Sequence, residues 1–389
     1  MLVKDIGMAY SDYVVGLRRK FHRFPEPSLE EHQTCRMICE ELRAMGLEPR
    51  IVHNTGVVAD IGDVSRSGKT VLLRADIDAL RVKEDTGEAF SSEHEGVMHA
   101  CGHDAHIAMN LTAAKLLTEM QDQLPGRVRV IFEPAEENAK GAPGMIQAGV
   151  MEGVSTVYGT HVWSTLQAGR FGISGGPVMA SADFFTITVR GKAVHGSEPQ
   201  NGVDTIAVAA AIINELYIAF AREYPAKEPV VLSFCQIAGG NTDNAIPEVV
   251  KIGGTTRSFN RELRSTYPDT MNRVIRHVAE AFRAEAELDY RWGSAPVIND
   301  DASAERAKRA VAANFGEEAV MRFEPIMGGD DFSEYEAIAP GVYVFLGVGN
   351  PETGAIWPQH SNHYRIDEST LIKGAIAAVQ YAVDYLNGG

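Results

Sequence analysis

The sequence is poor in cysteine, with four among 389 residues, at positions 35, 39, 101 and 235. They form no CxxC pair and no disulfide framework, which is the pattern expected in a reducing compartment. No stretch approaches the roughly 18 uninterrupted apolar residues of a membrane span, and the amino terminus does not read as a secretory signal. We therefore expect a cytoplasmic protein that has no membrane partner.

Basic residues are also few, since 36 Lys and Arg stand against 52 Asp and Glu, for a formal net charge of -16. Such a chain repels phosphate backbones, and no basic stripe compensates for the repulsion, so no nucleic-acid partner is expected. A hydrophobic fraction of 45% over this length is enough for two domains with their own cores. Small molecules or peptides are the expected ligands.

Short apolar strands alternate with helical stretches in the first part of the chain. Strands are predicted at 56–62, 70–78, 127–137 and 155–163. This alternation indicates an α/β fold with a mostly parallel sheet. A helix is expected to begin at Ser28, where Ser28 and Glu31 have the spacing of a capping box, and to end at Gly46.

The pattern changes near residue 180. From 183 onward the order strand, helix, strand, strand, helix, strand is typical of a ferredoxin-like α+β domain. After about 295 the α/β pattern resumes. We therefore predict a first domain built from 1–180 and 295–389, with 181–294 inserted into it.

Residues 99–106, HACGHDAH, concentrate potential metal ligands before a helix expected to start near Ala105. Thiolate and imidazole both suit zinc and similar divalent metals, which makes Cys101 and His103 candidates. Other polar clusters close predicted strands, and clusters at the carboxyl ends of strands converge at one edge of an α/β sheet. Taken alone, His161 could equally be a buried histidine that is hydrogen-bonded to the backbone. The prediction of a metal site therefore depends on several such clusters lying together at one edge of the sheet.

Glu136 and Glu137 are adjacent in the segment EPAEE. In extended backbone their side chains would point apart, so one could hold metal while the other moves protons. The alternative for this segment by itself is a solvated acidic loop.

Together these blocks resemble peptidase family M20, subfamily D, the branch of dinuclear metallopeptidases with aminoacylases, hippurate hydrolases and auxin-conjugate amidohydrolases. The resemblance covers nearly the whole chain. It also takes in LRADIDAL at 73–80, ADFFTITVRGKAVHGSEP at 182–199, GGNTDNAIPE at 239–248, GTTRSF at 254–259 and QHSNHYRIDE at 359–368. It implies a metal-binding catalytic domain with an inserted lid and dimerisation domain.

The resemblance also implies the roles of individual residues. The implied ligands of two divalent ions (zinc, manganese, cobalt or nickel) are Cys101, His103, Glu137, His161 and His360. The other implied roles are general base for Glu136, support of the site for Asp76, oxyanion stabilisation for His195, and substrate contact for Asn244 and Arg257. The implied reaction cleaves an N-acyl-L-amino acid, with Glu136 taking the proton of an activated water and Arg257 gripping the free carboxylate.

Several positions depart from the family pattern. Gly196, Ser197 and Gln200 interrupt the usual HAAxPH segment, and Asn362 and His363 replace the usual residues after the last ligand. The ligands and base are kept, so hydrolysis is still expected. These departures leave undecided which acyl group and which amino-acid side chain the pockets accept.

The sequence leaves two alternatives open. The same dinuclear site could serve an N-acetyldiaminopimelate-type deacetylase or a dipeptidase. The chain could instead be a catalytically silent metal-binding scaffold, which would be expected to lack Glu136. Assembly as a homodimer or homotetramer is expected, with His195 acting in its own or in the partner subunit.

Overall fold

The protein is described here by a computed structural model that covers residues 2–388. The chain divides into two compact units. Unit 1 comprises the described residues of Met1–Val178, Ile298–Glu324 and Asp331–Gly389, and unit 2 comprises Met179–Val297 and Pro325–Asp330.

The segment Pro325–Asp330 was expected in the first domain but belongs to unit 2. The physical reason is local, because the Ala180 amide donates to the carbonyl oxygens of Ile326 at 3.1 Å and Gly328 at 2.8 Å. The segment is thereby bonded to the first residues of unit 2.

The described residues form sixteen strands and ten α-helices. The strands are β1 (Arg50–Val52), β2 (Gly56–Gly62), β3 (Thr70–Asp76), β4 (Arg127–Glu133), β5 (Thr156–Gln167), β6 (Phe171–Gly172), β7 (Gly176–Met179), β8 (Ala182–Arg190), β9 (Val194–His195), β10 (Val230–Ala238), β11 (Ala245–Ile246), β12 (Val249–Ser258), β13 (Glu285–Ser294), β14 (Val297–Asn299), β15 (Val320–Met321) and β16 (Gly341–Gly349). The helices are α1 (Lys4–Gly7), α2 (Ser11–His22), α3 (His32–Ala44), α4 (His103–Glu119), α5 (Gly141–Gln147), α6 (Thr205–Glu223), α7 (Arg261–Ala281), α8 (Asp301–Phe315), α9 (Phe332–Glu336) and α10 (Leu371–Leu386).

Unit 1 is built on an eight-stranded sheet in the order β1-β2-β4-β3-β5-β16-β6-β15. Its centre, β4-β3-β5-β16, is parallel, while β1 and β2 pair antiparallel at one side. Every residue of β3 is buried, as expected of a central strand covered on both faces. The predicted α/β class with a mostly parallel sheet is confirmed.

Helix α4 lies in the interior of unit 1, with 14 of its 17 residues buried. A helix that is apolar on nearly all sides belongs in a core, and α4 contacts α2, α10 and the sheet. It begins at His103, two residues before the expected start, after Gly102 at φ 98. A Cβ at Gly102 would lie 2.4 Å from Val162, so only glycine fits this turn.

The helix predicted from Ser28 is wrong at its start. Helix α3 begins at His32, Glu31 is its N-cap, and the Glu31 side chain makes no capping bond. The capping-box spacing was misleading because both polar side chains are used in tertiary hydrogen bonds.

Unit 2 contains a four-stranded antiparallel sheet in the order β10-β12-β8-β13, with α6 and α7 packed together beside it. The chain order β8-α6-β10-β12-α7-β13 is the predicted ferredoxin-like order. Among the described residues, α6 is the one helix long and apolar enough to cross a membrane. Its buried face, including Val208, Ile212 and Leu216, belongs to the hydrophobic core of unit 2.

Candidate metal centre

The centre of the candidate site is formed where β3, α4 and β5 of unit 1 come together. Cys101 Sγ lies 3.5 Å from His161 Nε2, and both side chains are buried. His103 opens α4 and is 1% exposed. Ligand atoms of these three residues all lie within 4.8 Å of one another.

The hydrogen bonds of His103 fix which ring nitrogen is free. Its Nδ1 lies 2.9 Å from the carbonyl oxygen of Asp78 and 3.2 Å from Asp78 Oδ1. A carbonyl oxygen only accepts, so Nδ1 is the protonated nitrogen in the neutral ring and Nε2 keeps a lone pair. This Nε2 is buried and has no hydrogen-bond partner within residues 2–388.

The ring of His161 is oriented in the same manner. Its Nδ1 donates to the carbonyl oxygen of Val162 at 2.6 Å, which leaves Nε2 facing Cys101. Burial, together with the neighbouring His106, holds the pKa of His161 well below its ordinary value. His161 is therefore a neutral imidazole whose Nε2 lone pair points at Cys101 Sγ.

A second group of ligand atoms overlaps the first. Cys101, Glu137 and His360 also offer atoms within 4.8 Å of one another, and Glu137 Oε1 lies 3.6 Å from His360 Nε2. The backbone amide of His360 donates to the Ala100 carbonyl oxygen at 2.8 Å, and this bond anchors the loop that carries His360. The five predicted ligands thus form two triads that share Cys101.

His106 is close to both triads but offers no free nitrogen. Its Nε2 accepts from the Val162 amide at 2.9 Å, so Nδ1 carries the proton and donates to Asp76 Oδ1 at 2.5 Å. This bond helps to orient Asp76, whose Oδ2 lies 3.8 Å from His103 Nε2. Asp76 therefore contacts the rings of both His106 and His103, as its predicted supporting role requires.

Glu136 and Glu137 do not lie in extended backbone. Ala135 has φ 59, and the next three residues form a 3₁₀ turn, Glu136–Asn138. This turn brings both carboxylates to 3.9 Å from His103 Nε2, Glu136 through Oε2 and Glu137 through Oε1. Glu137 Oε1 is buried without a hydrogen-bond partner among the described residues.

A buried arginine stabilises the carboxylates behind the site. Arg74 donates to Asp76 at 2.6 Å, to Glu133 at 2.8 Å and to Asp331 at 3.2 Å. The side chains of these four residues are 2% exposed or less. Burial alone would raise the pKa of Asp76, but His103, His106 and Arg74 hold it well below its ordinary value.

The donor set fits divalent cations. Burial lowers the pKa of His103, yet the charges of Asp76 and Asp78 outweigh burial and raise it to about 10. Burial and the nearby glutamates raise the pKa of the Cys101 thiol, and burial raises that of Glu137 to about 7. Without a cation the triads therefore hold protons, and a bound cation would replace them.

The three remaining predicted residues lie in unit 2. His195 on β9 pairs with Ala245 on β11, and the Gly196 amide donates to the Asn244 carbonyl oxygen at 2.7 Å, so His195 and Asn244 are neighbours. Arg257 lies on β12, half-buried, with its guanidinium 5.9 Å from the centre of the Phe184 ring.

Arg257 and His195 both keep groups available for a ligand. Arg257 forms no ion pair with a carboxylate within the described residues, and burial lowers its pKa against the attraction of Asp183. His195 Nδ1 lies 2.8 Å from Ser197 Oγ and accepts from the Ser197 amide at 3.3 Å. Both contacts are satisfied when Nδ1 accepts and the proton of the neutral ring lies on Nε2 of this exposed residue.

Three residues that contact the candidate site residues or their turn were missed by the sequence analysis: Asp78, Arg74 and Glu31, which accepts from the Ala135 amide. Asp78 stands two residues after Asp76 in RADID, and that spacing was the available signal. Arg74 gave no signal, because an arginine inside an apolar strand is predicted to be solvated unless its carboxylate partners are known.

Comparison with known proteins identifies the family of this chain. Residues 72–384 match the model of peptidase family M20/M25/M40. Thermostable carboxypeptidase 1 of Saccharolobus solfataricus is 38% identical over 97% of this chain and 96% of its own length. N-acyl-L-amino acid amidohydrolase of Geobacillus stearothermophilus is 42% identical over 74% of this chain and 78% of its own length.

A solved structure shares the whole fold. The Bacillus subtilis YXEP protein, described as a dinuclear metal binding peptidase from the M20 family, superimposes with a TM-score of 0.85 and 34% identity. The match covers 97% of this chain and 99% of that one. The chain therefore belongs to peptidase family M20/M25/M40 and is a metal-dependent hydrolase related to its amidohydrolase branch.

Proposed function

We propose that the protein hydrolyses the amide bond of N-acyl-L-amino acids, releasing a carboxylic acid and a free amino acid. The observation that carries this proposal is the position of Glu136. Its carboxylate lies 3.9 Å from His103 Nε2, beside the two triads, and is partly exposed. A carboxylate at the open side of a metal site can reach a water molecule and a substrate, as a general base must.

Two divalent cations would be held by Cys101, His103, Glu137, His161 and His360, with Cys101 belonging to both triads. When bound, such cations supply Lewis acidity, which lowers the pKa of water and polarises an amide carbonyl. We propose zinc, manganese, cobalt or nickel, because thiolate, imidazole and carboxylate together suit these metals.

In the proposed reaction Glu136 accepts the proton of the attacking water. The carboxylate then passes this proton to the amide nitrogen, so that the amino acid leaves as a neutral amine. Asp76 and Asp78 hold the imidazole rings of His106 and His103 during these steps, because each accepts a hydrogen bond from its ring.

We assign recognition of the substrate to residues of unit 2. The guanidinium of Arg257 would bind the substrate carboxylate, and its lack of a carboxylate partner among the described residues supports this role. His195 and Asn244 would meet the oxygen that becomes negative, and the Nε2 proton of His195 supports that role.

We further propose a cytoplasmic homodimer, with a homotetramer as the larger alternative. Strand β10 forms one edge of the unit 2 sheet and all of its residues are at least partly exposed, which supports pairing with a second copy. Exposed apolar side chains of α6, Tyr217 and Ile218, lie in the same unit. The absence of disulfides among residues 2–388 supports a reducing compartment.

A second candidate substrate is a peptide with a free carboxyl terminus. The Saccharolobus relative is named a carboxypeptidase, and a peptide bond presents the same amide and the same terminal carboxylate to Arg257. The two candidates differ only in the group on the acyl side.

The test is a hydrolysis panel with metal-stripped protein reloaded with single metals. Acetyl, benzoyl and aminoacyl derivatives of one amino acid identify the acyl group, and the corresponding amino-acid amides, which lack the carboxylate, test Arg257. We expect cleavage of acyl amino acids and poor cleavage of the amides. Equal rates for acids and amides would reject recognition of the carboxylate.

Glu136→Gln should keep both metals and lose nearly all turnover. Glu318→Gln is the matched control, because Glu318 is an exposed carboxylate of unit 1. Glu136→Gln with full activity would contradict the assignment of the base, and metal content measured on the same sample separates loss of chemistry from loss of the centre.

A further inference from the structure

Glu31 is a fully buried carboxylate that no step of the proposed reaction uses. It is 0% exposed, although it lies in a loop before α3. Its two carboxylate oxygens accept hydrogen bonds from the Leu29 amide, the Ala135 amide and the Thr55 hydroxyl, so both oxygens hold other parts of the chain.

One oxygen of Glu31 binds two backbone amides. Oε1 accepts from the Leu29 amide at 2.8 Å and from the Ala135 amide at 2.9 Å. The second oxygen, Oε2, accepts from the Thr55 hydroxyl at 2.7 Å. Ala135 is 104 residues away in sequence, so this contact joins distant parts of unit 1.

Both residues whose amides bind Oε1 have left-handed backbones. Leu29 has φ 66 and Ala135 has φ 59, a conformation that is unfavourable for residues with a Cβ. Such a conformation persists only where the surroundings determine it. The carboxylate of Glu31 is the contact that these two residues share.

The turn at Ala135 is the one that presents the carboxylates of Glu136 and Glu137. It continues directly into Glu136 and Glu137, and the Glu137 amide donates to Asp78 Oδ2 at 3.2 Å. Ser28 Oγ donates to the same Asp78 oxygen at 2.7 Å. The backbone of Glu136 is therefore fixed on both sides, by Glu31 before it and by Asp78 after it.

We propose that Glu31 is a positioning residue for the proposed reaction: it holds the left-handed turn at Ala135 so that Glu136 and Glu137 face the metal triads. The inference rests on the proposed function for its catalytic consequence. The claim that Glu31 fixes the turn at Ala135 depends only on contacts within unit 1 and does not need the proposed function.

The decisive comparison is between two substitutions of similar size. Glu31→Met keeps the volume but removes every acceptor, so the Ala135 amide loses its partner. Glu31→Gln keeps one acceptor oxygen for the two amides, while its amino group can donate to the Thr55 hydroxyl. Gln should therefore restore what Met removes.

The first readout is hydrogen–deuterium exchange of peptides that contain residues 134–140. Faster exchange in Glu31→Met than in the wild type, with slow exchange restored in Glu31→Gln, is expected. Unchanged exchange in Glu31→Met would overturn the proposal, because the turn would then be held without Glu31.

The second readout is kinetic. A displaced reacting group can lower turnover by about 10- to 100-fold, so Glu31→Met should lose that much kcat with little change in KM. Glu31→Gln should recover most of the loss. If Met and Gln lower kcat equally, or if Glu31→Met exchanges faster without loss of kcat, the positioning role is wrong.

Asn314→Leu is the matched control for general destabilisation. Asn314 is buried, and its Oδ1 accepts the backbone amide of Lys4 from 310 residues away at 2.9 Å. This variant should lower the melting temperature as Glu31→Met does, but should leave kcat and exchange at 134–140 unchanged. A parallel loss of kcat in Asn314→Leu would attribute the Glu31 effect to stability alone.

Metal affinity separates failure of this inference from failure of the proposed function. Glu137 follows the held turn, so Glu31→Met should weaken binding of zinc to the stripped protein and Glu31→Gln should not. If the wild type cleaves no substrate of the panel, the proposed function fails. Zinc affinity and exchange then still decide whether Glu31 holds the turn.

Discussion

Removing the guanidinium of Arg74 should strongly destabilise unit 1. Three buried carboxylates, those of Asp76, Glu133 and Asp331, lie within 3.2 Å of its nitrogens. Removing one partner of a buried ion pair costs about 3 to 5 kcal/mol, because the remaining charge stays buried. We expect a loss of this size for Arg74→Met in metal-free protein, a large share of a typical unfolding free energy of about 5 to 15 kcal/mol.

The assay is denaturant unfolding of metal-free protein. Arg19→Met is the control, because Arg19 is half exposed and its ion pair with Glu368 should contribute only about 0 to 1 kcal/mol. Arg74→Lys should lie between, since a single ammonium cannot serve three carboxylates. A loss below about 1 kcal/mol for Arg74→Met would refute the reasoning that the cluster depends on this charge.

The same variant should show a defined pH dependence. Arg74 is one of the charges that hold the pKa of Asp76 below its ordinary value, against the effect of burial. A carboxylate with a lowered pKa in the folded state contributes stability above its unfolded value, near 3.9, and loses it as the pH falls. The difference between wild type and Arg74→Met should therefore be largest above about pH 5 and shrink as the pH falls below 4.

Two further predictions concern the site itself. Zinc binding to stripped protein should release protons and strengthen as the pH rises from 6 to 8, because burial raises the pKa of the Cys101 thiol and raises that of Glu137 to about 7. Calorimetry in buffers of different ionisation enthalpy counts the released protons. A zinc affinity that does not depend on pH would contradict the assignment of these ligands. If His195 acts in the partner subunit, mixing inactive His195→Gln with inactive Glu136→Gln should restore about a quarter of the wild-type activity, since half of the dimers are mixed and each has one complete site. No recovery after verified subunit exchange would place His195 in the site of its own chain.

The fold class could be predicted from sequence because its signals are local. The strand predicted at 56–62 coincides with β2, and the ferredoxin-like order of unit 2 follows from runs that each identify one element. Strand ends were less accurate. The strand predicted at 127–137 stops at Glu133, because the chain turns at Ala135 into the 3₁₀ turn that carries Glu136 and Glu137.

Tertiary hydrogen bonds explain what the sequence could not give. Ser28 and Glu31 have the spacing of a capping box, but their partners, Asp78 and Ala135, are 50 and 104 residues away. Local propensity contains no information about such partners. The same applies to Arg74, whose charge is compensated only once three separate segments have folded together.

The candidate ligands stand out in the sequence because their chemistry is unusual where it occurs. Cys101 and His103 stand two residues apart before a helix, and the structure brings both within 4.8 Å of His161. Which nitrogen of each ring is free was not predictable, since that depends on backbone carbonyl oxygens such as those of Asp78 and Val162.

The distribution of the four thiols makes the protein convenient to label. Cys35, Cys39 and Cys101 are buried, whereas Cys235 is exposed and lies near the middle of edge strand β10. A maleimide reagent at neutral pH should therefore attach one probe per chain and spare the metal centre. If two copies pair antiparallel along β10, their probes come close together, and a short bifunctional linker would record the dimer as a single covalent species.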